Sequence, residues 1–208
     1  MESRIYIQGS TGKMGKAILE ELKKYPQFIV TSNFQDATVA LDVSVPAALT
    51  KILELCLEAK KPLIVGTTGH SEEQKNRIKE AAQVIPILHS PNFAQGMSWL
   101  HAITGVICKE LSKDARVEIT ETHHTEKRDA PSGSALALKA ATGREDVPIV
   151  SKRIGESPGV HTVKLSWRDE ELELTHRTLN RRALAEGAVY AILFIQTKPP
   201  GYYTLCHL

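Results

Sequence analysis

Short apolar runs alternate with segments of helical periodicity along residues 4–89. The runs are rich in β-branched and aromatic residues, which favour strands, whereas the segments between them repeat apolar residues at helical spacing. Strands are predicted at 4–8, 28–32, 39–44, 62–65 and 85–89, and helices at 14–25, 46–60 and 71–82. Because strands and helices alternate, the pattern predicts βαβ units and a parallel sheet, as in an α/β, Rossmann-like domain.

The pattern changes after Pro91, where strands follow one another. Strands are predicted at 115–121, 147–154, 159–167 and 171–177, and helices at 97–111 and 132–141. Val117 and Ile119 alternate with polar residues, which predicts a mixed or antiparallel sheet with one covered face. A last helix, at 182–196, has a broad apolar side and is expected to pack on the first domain. We therefore expect one domain at 1–94 plus 182–208 and an α+β domain at 95–181.

Composition and charge are those of an ordinary globular protein. Hydrophobic residues make up 42% of the 208 positions, charged residues 24%, and the formal net charge is +2. Because charges of both signs are interspersed, we expect neither a nucleic acid partner nor a membrane surface. No apolar segment approaches the ~18 residues of a membrane-spanning helix. The three cysteines are odd in number and far apart, which indicates a reducing compartment, so we expect a cytoplasmic protein.

A glycine-rich loop joins the first predicted strand to the first predicted helix. It runs from Gly9 to Gly15 with a glycine at every third position. Backbone N–H groups and the dipole of the following helix can bind a pyrophosphate at such a loop, which predicts a dinucleotide site. The residues expected to bind the cofactor here are Gly9, Ser10, Thr11, Gly12, Lys13 and Met14. The alternative is that the glycines only form a tight turn.

Two further loops follow predicted strands, at the edge where open parallel sheets bind ligands. Their candidate cofactor residues are Gly66, Thr67 and Thr68 in one loop and Ser90, Pro91, Asn92 and Phe93 in the other. The alternative is that both are ordinary turns. The second strand ends at Ser32 and Asn33, without the carboxylate that binds ribose hydroxyls or an arginine for a 2′-phosphate. The sequence therefore leaves NADH and NADPH as alternatives.

The densest group of chemically active side chains lies between residues 121 and 135. His123, His124 and Lys127 supply proton donors and positive charge, as a reaction that makes and protonates an anion requires. A zinc site is the alternative. Adjacent histidines on a strand point to opposite faces, however, and no third ligand is obvious. We therefore expect no metal.

The same stretch ends where a helix is predicted to begin. Ser132, Gly133 and Ser134 would present N–H groups and hydroxyls at that helix N-terminus, which is a suitable site for a carboxylate. One alternative is that Ser132 only caps the helix. Another is that Lys127 and Arg128 form a solvated, charged turn. Composition predicts a polar pocket without naming its substrate.

Taken together, these residues resemble the 4-hydroxy-tetrahydrodipicolinate reductase (dihydrodipicolinate reductase) family. The longest match runs from Glu121 to Ala135 with the pattern E-T-H-H-x-x-K-x-D-A-P-S-G-S-A. Shorter matches follow in the family's order at 9–15, 42–44, 66–69, 92–93, 153–155, 159–161 and 173–176. The resemblance covers essentially the whole chain.

The resemblance implies an oxidoreductase of the diaminopimelate route to lysine that uses NADH or NADPH on a small cyclic dicarboxylate. It implies loss of water from a hydroxylated ring, hydride transfer to the conjugated imine and protonation of the resulting enamine. His123 would be the proton donor or acceptor, Lys127 a second proton donor and His124 a substrate ligand. Gly133 and Ser134 would bind a substrate carboxylate. A homotetramer built through the sheet of the second domain, which would serve both substrate binding and oligomerisation, is also implied.

Three departures from the family pattern are visible. Ser134 stands where threonine is usual, Thr125 replaces a frequent basic residue, and the segment between Ser32 and Val39 is short. The short segment lacks the usual cofactor-discriminating residues. Two other functions stay open at this point: a related dehydrogenase of an amino or hydroxy acid, and a sensor that binds the nucleotide without turnover.

Overall fold

The computed structural model describes residues 2–204, which fall into two compact units. Residues 2–93 and 181–204 form the first unit, and Ala94–Asn180 form the second. The chain therefore leaves the first unit and later returns to it. Each division lies one residue before the boundary expected from the sequence, and the functional role of each unit stays a prediction.

The first unit is built on a six-stranded parallel sheet. Its strands are β1 (Ser3–Gln8), β2 (Phe28–Thr31), β3 (Val39–Asp42), β4 (Leu63–Val65), β5 (Pro86–His89) and β10 (Gly201–Tyr203), in the order β10-β5-β4-β3-β1-β2. The five predicted strands are present, but the sequence pattern misses β10. This strand has three residues, follows Pro199 and Pro200, and pairs only with β5. Its run is too short to show a strand periodicity.

Helices cover both faces of this sheet. They are α1 (Lys13–Leu22), α2 (Leu49–Ala59), α3 (Glu72–Ala81) and α6 (Arg182–Ile195). Successive residues of a central strand are consequently buried on opposite sides: Ile64 packs in the cluster of α1 and α6, and Leu63 and Val65 pack in that of α2 and α3. The expected Rossmann-like architecture and the expected packing of the last helix are confirmed.

Local sequence signals explain where two of these helices begin. At α3, Ser71 Oγ accepts from the Gln74 N–H at 3.2 Å, and Gln74 Oε1 accepts from the Ser71 N–H at 3.0 Å, which together form a capping box. At α2, Pro46 begins a short 3₁₀ turn, Pro46–Ala48, before the α-helix starts. The single helix predicted at 46–60 is therefore two elements.

Helix α6, which follows the second unit in the sequence, packs very closely on Phe93, the last residue before that unit. A Cβ added at Gly187 would lie 1.7 Å from the carbonyl oxygen of Phe93. A side chain at position 187 would therefore force α6 away from the backbone of Phe93. This contact joins residues that lie on either side of the second unit in the sequence.

The second unit contains a four-stranded mixed sheet and two helices. These are α4 (Gln95–Glu110), β6 (Arg116–His123), α5 (Gly133–Thr142), β7 (Ile149–Arg153), β8 (Val160–Trp167) and β9 (Glu170–Arg177), with the strand order β7-β6-β8-β9. Only the β6–β7 pair is parallel. On β6, Val117 and Ile119 are buried while Arg116 and Glu118 are exposed, which confirms one covered and one polar face. Within residues 2–204, no helix has the length and apolar character needed to cross a membrane.

Candidate active site

The glycine loop of the first unit forms one tight turn against α1. Gly9 has φ +88°, and its carbonyl oxygen accepts from the Gly12 N–H at 3.0 Å. A Cβ at Gly15 would lie 2.2 Å from that same oxygen, so only glycine lets the helix begin this close to the strand. No side chain caps α1, whose N-cap is the exposed Gly12. An exposed helix N-terminus of this kind fits an anionic pyrophosphate.

A buried carboxylate joins the strand ends beside this loop. Asp42, at the end of β3, is fully buried, and its carboxylate accepts from Ser44 Oγ at 2.5 Å, Thr67 Oγ1 at 2.9 Å and Gln8 Nε2 at 3.3 Å. Its carbonyl oxygen accepts from the Gly66 N–H at 2.8 Å. All of these donors are neutral. Asp42 therefore fixes the position of the loop that follows β4.

The two candidate cofactor loops after β4 and β5 meet at the same sheet edge. A Cβ at Gly66 would lie 2.5 Å from Cε2 of Phe93, so the glycine allows the aromatic ring to pack on the loop. The Thr67 hydroxyl donates to Asp42, and the Ser90 hydroxyl donates to the Asn92 carbonyl at 2.6 Å. These two hydroxyls are engaged within the protein, whereas Thr68 is half-buried. The sequence reasoning did not anticipate these internal roles for Thr67 and Ser90.

The second unit contains another buried carboxylate, at the end of β6. Glu121 is 0% exposed, and its carboxylate accepts two bonds from the Arg153 guanidinium, at 2.9 Å and 3.0 Å, and one from the Ser132 N–H at 3.2 Å. It also accepts from His123 Nδ1. Burial alone would raise the pKa of Glu121, but the bonds from Arg153 and His123 outweigh it and hold this pKa at about 2. Glu121 is therefore ionised.

His123 lies beside Glu121 on the covered face and packs against a second histidine. Its ring meets the His161 ring edge-on, with centroids 4.9 Å apart. Burial lowers the pKa of His123, although Glu121 opposes this shift by favouring the imidazolium. Burial also lowers the pKa of His161, to about 3, so this ring stays neutral. The environment of His123 therefore favours its neutral form over the imidazolium.

A metal is a poor fit to this cluster, although the cluster offers three possible ligands. Ligand atoms of Glu121, His123 and His161 lie within 4.8 Å of one another. The zinc alternative considered from the sequence paired His123 with His124, and His124 is not part of this cluster. Both oxygens of Glu121, however, are bonded to the Arg153 guanidinium, whose positive charge disfavours a cation at the same place.

The remaining predicted proton donor lies in the loop after β6. Lys127 Nζ is 2.8 Å from Asp129 Oδ1, and both side chains are mostly buried. Arg153 Nε donates to the Lys127 carbonyl at 3.3 Å, so the arginine that binds Glu121 also holds this loop. β6 ends at His123, and therefore the strand argument for opposite faces does not extend to His124. His124 is half-buried, and its carbonyl accepts from the Lys127 N–H at 3.1 Å.

The predicted carboxylate site is the first turn of α5. Ser132 is the N-cap, because its Oγ accepts from the Ala135 N–H at 3.2 Å. Ser132 therefore caps the helix, and its N–H and hydroxyl also contact Glu121 and His161. Gly133 and Ser134 form the first helical turn behind it. Ser134 is buried. The helix N-terminus and the ends of β6 and β7 therefore converge within the second unit.

Three residues that organise this cluster received no role from the sequence reasoning. In the sequence, Glu121, Arg153 and His161 were recognised only as parts of motifs. One signal was available for Glu121, since it lies in phase with Val117 and Ile119 on the predicted covered face. A charged residue in a covered position requires a partner. The partner itself, Arg153, is set by the parallel pairing of β6 with β7.

Comparisons with known proteins assign the family. The chain matches "Dihydrodipicolinate reductase, C-terminus" over residues 96–208 and "Dihydrodipicolinate reductase, N-terminus" over residues 29–93. The chain belongs to the dihydrodipicolinate reductase family. The resemblance inferred from the sequence motifs is thereby confirmed, and the chain is an oxidoreductase of this family.

Individual relatives agree over nearly the full chain. Proteins named 4-hydroxy-tetrahydrodipicolinate reductase from Rickettsia rickettsii and Stenotrophomonas maltophilia are 32% and 33% identical to it. The first match covers 97% of this chain and 96% of the relative, and the second covers 96% and 95%. Each of these matches leaves out only a few residues of this chain, so each includes the glycine loop, which lies before the N-terminal family match.

Solved structures show that the fold is shared more widely than the family. A dipicolinate-bound dihydrodipicolinate reductase from Paenisporosarcina sp. TG-14 superposes with a TM-score of 0.77 at 20% identity and covers 98% of both chains. An amine dehydrogenase from Mycobacterium smegmatis gives a TM-score of 0.68 at 12% identity and covers 99% of this chain and 96% of its own. These likenesses confirm the fold class.

Proposed function

We propose that this chain reduces 4-hydroxy-tetrahydrodipicolinate, by way of dihydrodipicolinate, to tetrahydrodipicolinate with NADH or NADPH, in the diaminopimelate pathway of lysine biosynthesis. The observation that carries the proposal is that Glu121 and Arg153 link His123, the backbone of Lys127 and the N-cap of α5 in a member of the dihydrodipicolinate reductase family. This arrangement places proton donors beside an anion site, as reduction of a cyclic dicarboxylate needs.

The first unit is proposed as the dinucleotide-binding domain, at 1–94 plus 182–208. Gly9 to Met14 would bind the pyrophosphate, supported by the φ of Gly9 and by the close approach at Gly15. Gly66 to Thr68 and Ser90 to Phe93 would bind the nicotinamide half, supported by their shared position at the carboxyl edge of the sheet. A bound nicotinamide supplies the hydride for the reduction.

The second unit, at 95–181, is proposed to bind the substrate. Gly133 and Ser134 would hold one substrate carboxylate through the N–H groups of the first turn of α5, and His124 would be a further ligand. His123 would exchange a proton with the ring, and Lys127 would donate a second proton and neutralise developing negative charge. The lowered pKa of His123 supports its proton-transfer role.

The assembly and location follow from the resemblance to the family. We propose a homotetramer formed through the second unit's sheet, in the cytoplasm, without nucleic acid or membrane partners. The polar residues on the exposed face of β6, such as Arg116 and Glu118, are consistent with contacts between subunits. Analytical ultracentrifugation of the purified protein measures the assembly directly, and a monomer would contradict this part of the proposal.

The reaction is tested with purified protein and the product of condensation of aspartate semialdehyde with pyruvate. We expect loss of reduced nicotinamide absorbance with NADH or NADPH, and parallel assays of the two cofactors give the preference. A reaction mixture without the condensation product serves as the control. No oxidation of either cofactor above that control would contradict the assignment.

A further inference from the structure

The Glu121 carboxylate is bound from three different parts of the second unit. His123 Nδ1 donates to it from its own strand, the Arg153 guanidinium from β7, and the Ser132 N–H from the N-cap of α5. Glu121 is fully buried, so water does not compete for these bonds. The carboxylate is therefore fixed in both position and orientation.

We infer that Glu121 is a positioning residue, which keeps the proton of neutral His123 on Nδ1 and leaves Nε2 as the atom that exchanges protons with the substrate. An ionised carboxylate can only accept hydrogen bonds, so the ring nitrogen facing it must carry the hydrogen. In a neutral imidazole the other nitrogen is then the acceptor. The inference rests on the proposed function, because that function gives His123 its proton-transfer role.

The surroundings of Nε2 fit this orientation. A Cβ at Gly159 would lie 3.0 Å from His123 Nε2, so the absence of a side chain there keeps the edge of the ring uncrowded. On the other side, His161 packs edge-on against the ring. The ring is thus held at Nδ1 by a hydrogen bond and at its face by packing, while Nε2 is bordered by glycine.

The charged and titratable groups that face His123 act in opposite directions. Glu121 on β6 favours the imidazolium, whereas Lys127 in the loop after β6 and Arg153 on β7 disfavour it. His161 on β8 stays neutral because burial lowers its pKa to about 3. Of these four neighbours, Glu121 is therefore the one whose charge holds the proton on His123.

The same carboxylate also sets the position of the proposed anion site. Its bond to the Ser132 N–H holds the residue that caps α5, and Ser132 Oγ in turn binds the Ala135 N–H. The first turn between them contains Gly133 and Ser134. A shift of Glu121 would consequently displace the proton-transfer group and the carboxylate-binding turn together.

The first experiment reads the His123 tautomer in the free wild-type enzyme by ¹⁵N NMR of its imidazole, assigned with His123→Gln. We expect a protonated Nδ1 and an unprotonated Nε2 above the pKa of this histidine. A proton on Nε2 would overturn the inference. This measurement needs no substrate. If the enzyme shows the expected tautomer but oxidises neither cofactor, the proposed function is contradicted and the role of Glu121 is not.

The second experiment compares Glu121→Gln with Glu121→Asp and with Glu110→Gln, a matched change at the exposed end of α4. We expect Glu121→Gln to lower kcat ~10–10²-fold at an unchanged KM for the dinucleotide. The pH profile should move to lower pH, because the charge that favours the imidazolium is lost. Aspartate should restore part of kcat, and Glu110→Gln should match the wild type.

Two results would overturn the inference. One is a folded Glu121→Gln enzyme with the wild-type kcat and pH profile. The other concerns Arg153→Lys, which replaces Glu121→Gln as the test variant if Glu121→Gln does not fold. Lysine keeps the positive charge but loses the forked contact that orients Glu121. In that variant we expect a shifted pH profile, because the Glu121 carboxylate is held less firmly beside Nδ1, and an unchanged profile would contradict the role of Glu121.

Discussion

Each unit of this protein buries one carboxylate completely at the end of a strand, and the two are satisfied by different partners. Asp42 in the first unit accepts from hydroxyls and an amide, which are neutral. Glu121 in the second unit accepts from the Arg153 guanidinium and from an imidazole. A carboxylate with neutral donors fixes a loop. A carboxylate with charged or titratable partners also controls where protons reside, which fits the proposal that the first unit binds the dinucleotide and the second transfers protons.

Removing His123 or Lys127 should have the largest effect on turnover. Dinucleotide binding, which is proposed for the first unit, should not be affected. We expect His123→Ala and Lys127→Ala each to lower turnover ~10²–10⁴-fold, because each removes a group proposed to transfer protons. Dinucleotide affinity, measured by fluorescence titration, should stay close to that of the wild type. Wild-type rates in both variants would place the chemistry elsewhere and break the division between the units.

Arg153→Ala should be the most destabilising of the substitutions considered, because it leaves Glu121 buried without its charged partner. The expected loss in free energy of unfolding is ~3–5 kcal/mol, measured by urea denaturation. Lys109→Ala, an exposed cation near the end of α4, is the control and should change it by about 0.5 kcal/mol or less. Equal effects of the two variants would show that Glu121 does not depend on Arg153.

Asp42→Asn should destabilise the protein less than Arg153→Ala does, and it should affect cofactor binding instead of turnover. An asparagine keeps one acceptor oxygen but places an NH₂ group where the carboxylate accepts a hydroxyl, so we expect a loss of ~1–3 kcal/mol in the free energy of unfolding. The displaced Gly66–Thr67 loop should weaken NADH and NADPH binding while kcat at saturating cofactor is retained. Glu73→Gln, an exposed change on α3, is the control. A lower kcat with normal cofactor affinity would reverse the roles given to the two carboxylates.

Acid should affect buried histidines before it affects Glu121. Burial lowers the pKa of His161 from 6.5 to about 3, so the unfolded chain binds its proton first, and stability falls as the pH drops below 6.5. The contribution of His161 is at most ~1.4 kcal/mol per pH unit. Glu121 has a pKa held down to about 2 from 4.5, so its contribution is complete above pH 4.5 and is lost only as the pH falls toward 2.

Urea denaturation between pH 7 and pH 5 measures this order. His161→Asn should give a shallower dependence of the unfolding free energy on pH than the wild type. His89→Asn, in the first unit, should do the same to a similar extent, because burial lowers the pKa of His89 to about 4, which is also below this pH range. A slope unchanged in His161→Asn would mean that this histidine is not buried neutral in the folded protein.

Regular features with local signals could be predicted from the sequence. The capping box at Ser71, the glycine loop at Gly9 and the alternation of Val117 and Ile119 each arise within a few residues, and the structure contains all three. β10 could not be predicted, since a three-residue edge strand depends on the presence of β5 beside it. Local pattern therefore identified the fold class but not the full sheet.

The candidate site also contains some residues that could be predicted from the sequence and others that could not. His123, His124 and Lys127 could be chosen from one short stretch, but the partners that determine their chemistry are distant in sequence. Arg153 reaches Glu121 through the pairing of β6 with β7, and His161 reaches His123 through the antiparallel register of β6 with β8. Such neighbours follow from strand register, which a single sequence does not specify.

The contact of Gly187 with the Phe93 carbonyl has a consequence for how the protein is made. Phe93 ends the first segment, whereas α6 that packs on it is synthesised only after the whole second unit. A nascent chain that has reached residue 180 contains the glycine loop and both nicotinamide loops but lacks the helix that supports them. Because domains fold as units during synthesis, the second unit should mature first, although the first begins earlier on the ribosome.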